Sequence, residues 1–277
     1  MHDKVFWVVM AGLVGLAVGS FLNVLIHRLP RMLEAQWAAE LRQPDDTTPR
    51  PPAARYNLAF PASHCPQCGH PLRWTDNIPV LSYAWLKGRC RHCHGQIAWR
   101  YPAVELLTGA VFVWSVLTHG MGASALAWAG FASALIALAA IDADTTLLPD
   151  AITQPLLWTG LIAASLQWSQ TTLSTALWGA VVAYLFLWSV YWLFKLFTGK
   201  EGMGQGDFKL LAALGAWLGW PALVSLVLIA SLSGVAVGLI LRARGQLKED
   251  GYIPFGPFLA FAGLWVMVMG PVQTLQF

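Results

Sequence analysis

Residues 173–197 read LSTALWGAVVAYLFLWSVYWLFKLF, and no charged side chain interrupts this stretch before Lys195. A helix rises about 1.5 Å per residue, so about 20 apolar residues cover the roughly 30 Å of hydrocarbon in a bilayer. This stretch is longer than that and apolar almost throughout. It predicts a helix that spans a membrane.

The same criterion, applied to the whole chain, finds further apolar stretches of similar character. They are 5–26, 101–117, 123–141, 152–168, 221–241 and 253–272. A shorter apolar piece, 208–220, allows two interpretations. It either crosses as a thin span or forms a re-entrant helix broken at the Trp220-Pro221 pair.

The positions of the basic residues decide between these two interpretations. Of the 17 Lys and Arg residues, ten lie between residues 28 and 100, and six more lie at 195, 200, 209, 242, 244 and 248. If 208–220 crosses, all sixteen share one face, and the positive-inside rule makes that face cytoplasmic. We therefore predict eight spans with both termini outside.

Composition supports the same class of protein. Hydrophobic residues make up 57% of the 277 residues and charged residues only 11%, with 15 Trp. Soluble domains average about 45–50% apolar and about 25% charged residues. The difference excludes a soluble enzyme, a disordered protein and a fibrous repeat.

The predicted fold class is an all-α polytopic membrane protein with about eight transmembrane helices and a small zinc-binding cytoplasmic loop module. Its parts are a first transmembrane helix at 1–26, the cytoplasmic loop at 27–100 and a membrane helical bundle at 101–277. The middle of the loop, 43–52, is polar and proline-rich, which predicts a flexible linker.

All four cysteines lie in that loop, as two C-x-x-C pairs separated by 21 residues. Four thiolates at such a spacing can converge on a tetrahedral zinc ion, whose closed shell leaves no position for a reacting water. Disulfides are the alternative, but the cytoplasm keeps thiols reduced. The histidines at 64, 70, 92 and 94 either replace a thiolate or lie outside the shell, and we favour the second. We predict one structural zinc per chain, bound by Cys65, Cys68, Cys90 and Cys93.

Acidic residues beside the predicted spans form two clusters, and acids near a membrane suggest function. The clusters are IDADTTLLPD at 141–150 and GMGQGDFK at 202–209, both at the predicted cytoplasmic edge. Paired carboxyls can share a proton, so that one activates a water and the other polarises a carbonyl. Gly202, Gly204 and Gly206 would let a substrate chain approach closely.

Ordinary structural roles explain the same acids equally well. Asp150 and Asp207 each precede an apolar run, where Asp is a normal helix N-cap. Asp144 lies two residues after Asp142, hence on the opposite side of a helix that continues. From the residues alone, chemistry at Asp142 and Asp207 and simple capping both stay open.

Several sequence blocks together resemble a known family. They are GSFLNV at 19–24, HRLP at 27–30, the paired cysteines, NIP at 77–79, RYPAVE at 100–105, IDAD at 141–144, LPD at 148–150, GQGDFK at 204–209 and IPFGP at 253–257. In order and spacing they resemble the type IV prepilin peptidases. These are the bifunctional leader peptidases and N-methyltransferases of pilus and type II secretion systems.

The resemblance implies an aspartic endopeptidase of the GxGD type, with Asp142 and Asp207 as the catalytic aspartates. It implies prepilin and pseudopilin substrates cleaved after a Gly on the cytoplasmic side of the bacterial inner membrane. The new N-terminal residue, usually Phe, would then be methylated with S-adenosylmethionine. Membrane lipid is the other expected partner, and no nucleic acid is expected.

The resemblance places the methyl donor on the loop between the first two spans, around Gly88 and Glu105. Glu105 is equally explained as a buried hydrogen-bonding partner, so no cofactor-binding residue is assigned. The cysteine cluster serves, in this interpretation, as a scaffold and not as the catalyst.

Two other classes of function use the same features. A proton-coupled transporter also contains intramembrane acids and helices broken at Gly or Pro. Against it, the acids cluster at the membrane edge, and the sequence shows no inverted repeat. The third class is a zinc-dependent membrane scaffold without chemistry.

Overall fold

The computed structural model describes residues 2–41, 56–200, 202–246 and 253–271. Within these residues the chain forms nine α-helices and two short 3-10 turns, with isolated β-bridges and no strand. The helices are α1 (His2–Glu40), α2 (Leu81–Trp85), α3 (Arg100–His119), α4 (Ala123–Thr145), α5 (Asp150–Ser165), α6 (Leu173–Thr198), α7 (Gln205–Leu218), α8 (Leu223–Ala243) and α9 (Gly256–Met269). The predicted all-α class is therefore confirmed. The predicted linker at 43–52 lies outside the described residues.

The chain divides into two compact units, residues 1–120 and 121–277. In the first unit, α1 packs along α3. Gly15 and Gly19 lie one turn apart on α1, and a Cβ added to either would come within 2.8 Å of α3 backbone at Gly109 or Glu105. Small residues at this spacing let two membrane helices approach backbone to backbone.

Helix α1 continues well beyond the predicted end of the first span at residue 26 and reaches Glu40. The residues after Pro30 include Met, Leu, Glu, Ala and Gln, which are strong helix formers. Hydropathy marks where the apolar part ends, but it does not mark where the backbone stops being helical. The first predicted boundary therefore lies inside one continuous helix.

In the second unit, α7 forms the centre and packs against α5, α6 and α9. Its residues 210–217 are all buried. Gly179 on α6 and Gly215 on α7 contact each other through their backbones, which leaves no room for a Cβ on either. The Trp217 indole N–H donates to the Leu156 carbonyl at 2.8 Å. These contacts fix the position of α7, and with it the position of its N-terminus.

Five helical segments are long and apolar enough to cross a membrane: α1, α3, α4, α6 and α8 with the turn that precedes it. The other predicted spans are shorter helices, with 16 residues in α5, 14 in α7 and 14 in α9. Fourteen residues rise only about 21 Å, which is less than the roughly 30 Å of hydrocarbon. The helices agree with a membrane protein, and the count of eight spans stays a prediction.

Candidate active site and metal centre

Asp142 lies one turn before the C-terminus of α4 and is only 4% exposed. The helix continues to Thr145, and Thr146 in the left-handed region closes it with an N–H bond to the Asp142 carbonyl at 2.8 Å. Asp144 is exposed, as expected two residues further along a continuing helix. The two acids of this motif therefore have different environments.

The N-terminus of α9 meets the Asp142 carboxylate. The backbone N–H of Gly256 donates to Asp142 Oδ2 at 3.0 Å, in a buried position. A Cβ on Gly256 would lie 2.6 Å from the same oxygen, so only glycine permits this approach. Helix N-termini carry free N–H groups and partial positive charge, which stabilise a carboxylate there.

Asp207 lies in the first turn of α7 and is also 4% exposed. Its carboxylate accepts a hydrogen bond from the Gly204 backbone and lies near enough to Asp142 for the two negative charges to repel each other. The structure thus brings together the two aspartates that the sequence singled out. Two such carboxyls titrate as a pair and favour a shared proton.

The capping alternative is wrong about the N-cap positions, although Asp207 does accept from the backbone of Gly204, the N-cap residue of α7. The N-cap positions of α5 and α7 are Pro149 and Gly204, so neither Asp150 nor Asp207 occupies one. Asp150 instead accepts from Lys209 Nζ, with both carboxylate oxygens at 2.7 Å. This exposed ion pair joins the N-terminal turns of α5 and α7 beside the buried aspartates.

Two of the three glycines of the GMGQGD stretch, Gly202 and Gly206, do not leave room for a substrate as predicted, while a Cβ on Gly204 would meet only Asp207 Oδ2, at 3.8 Å. A Cβ on Gly206 would lie 2.7 Å from Leu148 Cβ, and one on Gly202 would lie 2.7 Å from the Phe194 ring. At both positions the space that a Cβ would need is filled by the protein's own side chains and is not open to a substrate. Gly206 lets α7 approach the loop that follows Asp142 and so helps to bring the two acids together.

The four cysteines of the first unit form a cluster, with all four Sγ atoms within 4.8 Å of one another. Cys65 Sγ and Cys93 Sγ are 3.9 Å apart. Tetrahedral zinc with bonds of about 2.3 Å separates its sulfurs by about 3.8 Å, so the cluster fits this ion.

Two matching turns build the cluster. In each, the first Cys N–H donates to a carbonyl five residues later, to His70 or Gly95, at 2.9 Å. Gly69 and His94 occupy the same place in the two turns, and both have positive φ. The local sequence alone therefore positions the two thiols of each C-x-x-C pair.

The thiols of the cluster differ in acidity, because, against a backbone hydrogen bond from His70, burial and hydrogen bonds to the other three cysteines raise the pKa of the Cys68 thiol to about 11. The backbone N–H groups of Cys93 and His92 lower the pKa of the Cys90 thiol to about 7, and zinc binds the thiolate. The rings of His70 and His92 stack at 4.2 Å. Among the described residues, the clusters able to hold a metal contain no histidine.

We expect purified protein to contain about one zinc per chain. Cys68→Ser should lower zinc retention and the melting temperature of the first unit, because structural zinc contributes folding free energy. Metal analysis and thermal denaturation measure both. Asp76→Asn, which removes an ion-pair partner of Arg91 in the same module, is the matched control and should retain zinc. Full zinc retention by Cys68→Ser would contradict the four-sulfur site.

Comparisons with known proteins cover almost the whole chain. Residues 13–119 match the Bacterial Peptidase A24 N-terminal domain, and residues 129–239 match the Type IV leader peptidase family. A protein of Burkholderia pseudomallei is 50% identical over 92% of this chain and 83% of its own length. One of Aeromonas salmonicida is 52% identical (93% and 88%), and one of Pseudomonas aeruginosa is 48% identical (96% and 92%). All three are named prepilin leader peptidase/N-methyltransferase.

The chain belongs to the type IV leader peptidase family. This confirms the family that the sequence blocks indicated, together with its enzyme class. No solved structure matches the chain significantly. Membership in this family gives no support to the transporter alternative.

Sequence reasoning missed two elements of this leader peptidase site. Gly256 belongs to the IPFGP block, whose pattern predicts no role for it, although its backbone N–H donates to Asp142. Lys209 directly follows the GQGD motif, and its pairing with Asp150 needed the packing of α5 against α7. The signal for both was their position inside blocks shared with the family.

Proposed function

We propose that this chain cleaves the leader of type IV prepilins and type II secretion pseudopilins at the cytoplasmic face of the bacterial inner membrane. It then methylates the new N-terminal amine. The observation that carries the proposal is the burial of the Asp142 and Asp207 carboxyls close together, where the end of α4 meets the start of α7. Membership in the leader peptidase family supports it.

Hydrolysis in this scheme needs one proton shared between two carboxyls. The ionised carboxylate removes a proton from a water, whose oxygen attacks the scissile carbonyl carbon while the protonated partner donates to the carbonyl oxygen. Collapse of the tetrahedral intermediate breaks the C–N bond, and the leaving amine takes a proton from the dyad. No covalent enzyme intermediate forms. The Gly256 N–H holds Asp142 in place throughout.

The location of the two acids suits a substrate with a basic leader and an apolar helix. Both lie near ends of helices in the second unit, and the distribution of Lys and Arg predicts that these ends face the cytoplasm. The substrate helix would lie in lipid beside the bundle and present the bond after its Gly at the membrane surface. The leader would remain among the basic residues of the cytoplasmic face.

Methylation requires S-adenosylmethionine, which when bound supplies an electrophilic methyl group on a sulfonium. The free N-terminal amine of the cleaved pilin would be the nucleophile that receives this methyl group, and its excess proton would pass to water. The closed four-cysteine site has no open position for a substrate, so its role is structural. It orders the module around the zinc.

The direct test uses protein purified in detergent, a prepilin and S-adenosylmethionine. Mass spectrometry should show cleavage after the Gly and, on the new N-terminus, the mass of one added methyl group. Intact prepilin after incubation with protein whose thermal melting shows that it is folded would overturn the peptidase assignment.

The two activities should separate. Asp142→Ala removes one member of the dyad, yet it should still methylate a pre-cleaved pilin that presents a free N-terminal Phe, because methyl transfer does not use the aspartates. Incorporation of labelled methyl groups measures this. The zinc content and melting temperature of the variant serve as the folding control. Loss of both activities in a folded variant would indicate one shared site.

A further inference from the structure

An uncharged stretch of the first unit lies between Asp76 and Lys87 and reads NIPVLSYAWL. It contains the short helix α2. The prediction assigned it to the cytoplasmic loop at 27–100, outside the membrane. In a loop surrounded by water, the apolar side chains of such a stretch are expected to be buried in the core of the loop itself.

The apolar side chains of this stretch instead point outward. Leu81 is 68% exposed and Trp85 is 87% exposed, and the two lie four residues apart, hence on one face of α2. Ile78, before the helix, is also exposed. The polar side chains of Ser82 and Tyr83 line a cavity of the first unit. A helix that faces water shows the reverse arrangement, with its apolar face inside and its polar face outside.

A hydrogen bond fixes the level of α2 along the two long apolar helices of this unit. The backbone N–H of Val80, the residue before α2, donates to Glu105 Oε2 at 2.7 Å. Glu105 lies five residues after Arg100, the first residue of α3, which is a rise of about 7.5 Å. Because side chains on a helix lean towards its N-terminus, the Val80 N–H lies beside the first two turns of α3.

Helix α1 places the same carboxylate within its own apolar part. A Cβ on Gly19 would lie 2.6 Å from Glu105 Cα, so the two backbones meet there. Gly19 lies seven residues before residue 26, the end of the apolar stretch, which is a rise of about 10 Å. Both α1 and α3 are long and apolar enough to cross a membrane. The start of α2 is therefore held at the level of the membrane boundary and not above it.

Val80 is held at this level against its backbone preference. Its φ is 58°, a conformation that a β-branched residue rarely adopts. Such a conformation persists only where the surrounding contacts hold it. The buried carboxylate of Glu105 also accepts a hydrogen bond from Ser20. One carboxylate thus joins α1, α3 and the start of α2.

The residues that flank the stretch suit a lipid headgroup region. Lys87 and Arg89 are the first charged residues after it, and both are exposed. Trp99 directly precedes α3 and is also exposed. Tryptophan is enriched at membrane boundaries, and basic side chains beside them attract anionic headgroups.

We propose that α2 and the residues just before it lie in the membrane interface, in the leaflet where the apolar part of α1 ends and α3 begins. Ile78, Leu81 and Trp85 contact lipid there. Lys87 and Arg89 lie among anionic headgroups. The contact fixes the zinc module at the lipid surface, and it is independent of the proposed peptidase and methyltransferase chemistry.

The test is photo-crosslinking of the full-length protein in vesicles of phosphatidylcholine and phosphatidylglycerol in equal parts. Benzoylphenylalanine, which bonds to nearby C–H groups under near-ultraviolet light, replaces Leu81 or Trp85 in separate variants. Both side chains are exposed, so the replacement should leave the fold intact. Zinc content and thermal melting check this. Mass spectrometry should find lipid adducts at both positions.

The matched control carries benzoylphenylalanine in place of Glu34. This residue is exposed and lies on α1, about 12 Å beyond residue 26. Lipid adducts at Leu81 and Trp85 should exceed those at Glu34 at least about tenfold, because only the first two positions lie in the interface.

The mass of each adduct also identifies the lipid. At position 85, adducts with phosphatidylglycerol should outnumber those with phosphatidylcholine about threefold, because basic side chains concentrate anionic lipid around them. A variant with Lys87→Gln and Arg89→Gln should lose this preference and keep the adducts.

Lipid adducts at positions 81 and 85 that are no more frequent than at position 34, in folded protein, would overturn the proposed contact. Adducts to another protein segment or to a second copy of the chain in place of lipid would overturn it as well, because the exposed face of α2 would then be a protein interface. Equal labelling of the two lipids by the variant with Lys87 and Arg89 intact would show that these two residues do not lie among anionic headgroups.

Discussion

Asp142→Asn and Asp207→Asn are each expected to lower the rate of prepilin cleavage by about 10³-fold or more, to the limit of detection. Both side chains are buried, and their charges interact. Asparagine matches aspartate in size but cannot take up or release a proton at working pH. The shared proton is thereby lost in either variant. Cleavage rates at matched membrane expression measure the effect.

The double variant should be hardly slower than either single one, because residues that act as a unit lose their function together. Asp144→Asn is the matched control on the same helix, where Asp144 is exposed, and it should keep most of the wild-type rate. Asp150→Asn breaks only an exposed ion pair with Lys209, which is worth about 0–1 kcal/mol, and should also remain active. Robust cleavage by Asp207→Asn would remove the dyad from the mechanism.

The apolar helices could be predicted from the sequence because hydropathy and helix length follow directly from bilayer thickness. The predicted 123–141 and 173–197 correspond closely to α4 and α6. The same measure failed at α1, which remains helical through polar residues to Glu40. It also overestimated α9, where the helix begins only at Gly256. Hydropathy does not record where helical backbone geometry starts or stops.

The metal-binding pairs and the catalytic aspartates differ in how far apart along the chain their determining contacts lie. Each C-x-x-C pair is presented by a turn whose hydrogen bonds span five residues, so its sequence nearly suffices to predict its geometry. The meeting of Asp142 and Asp207 depends instead on α7 packing at the centre of the second unit. From the sequence, only the resemblance to the family favoured a pairing of these two aspartates over simple helix capping.

The contacts of Glu105 and Arg28 in the first unit could not be predicted from the sequence. Glu105 and Val80 meet through a hydrogen bond across 25 residues, and Arg28 contacts carbonyls about 30 residues further along the chain. Hydropathy counts Glu105 as one acid within an apolar helix. The burial of Glu105 and its hydrogen bond from Val80 follow only from the folded unit.

Gly256→Ala is expected to lower prepilin cleavage by about 10²-fold while leaving the fold intact. The contact between Gly256 and Asp142 joins residues 114 positions apart, at the start of α9 and the end of α4. Alanine keeps the N–H donor, so the hydrogen bond itself is not deleted. Its Cβ, however, would lie 2.6 Å from Asp142 Oδ2 and 3.1 Å from Leu148 Cδ2, so the carboxylate has to shift from its position. A displacement of this kind, near 1 Å, costs catalysis far more than stability.

Gly130→Ala is the matched control for that substitution, because Gly130 lies on the same helix as Asp142 and a Cβ there would meet nothing within 4 Å. It should cleave at the wild-type rate. Both variants should have melting temperatures near that of the wild type. Gly256→Ala should methylate a pre-cleaved pilin at the wild-type rate, because the contact between Gly256 and Asp142 lies in the second unit alone. A Gly256→Ala enzyme that cleaves as fast as Gly130→Ala would show that the carboxylate of Asp142 is not held by α9 during the reaction. The orientation of the dyad would then have to come from the α7 side, through Asp207 and Gly204.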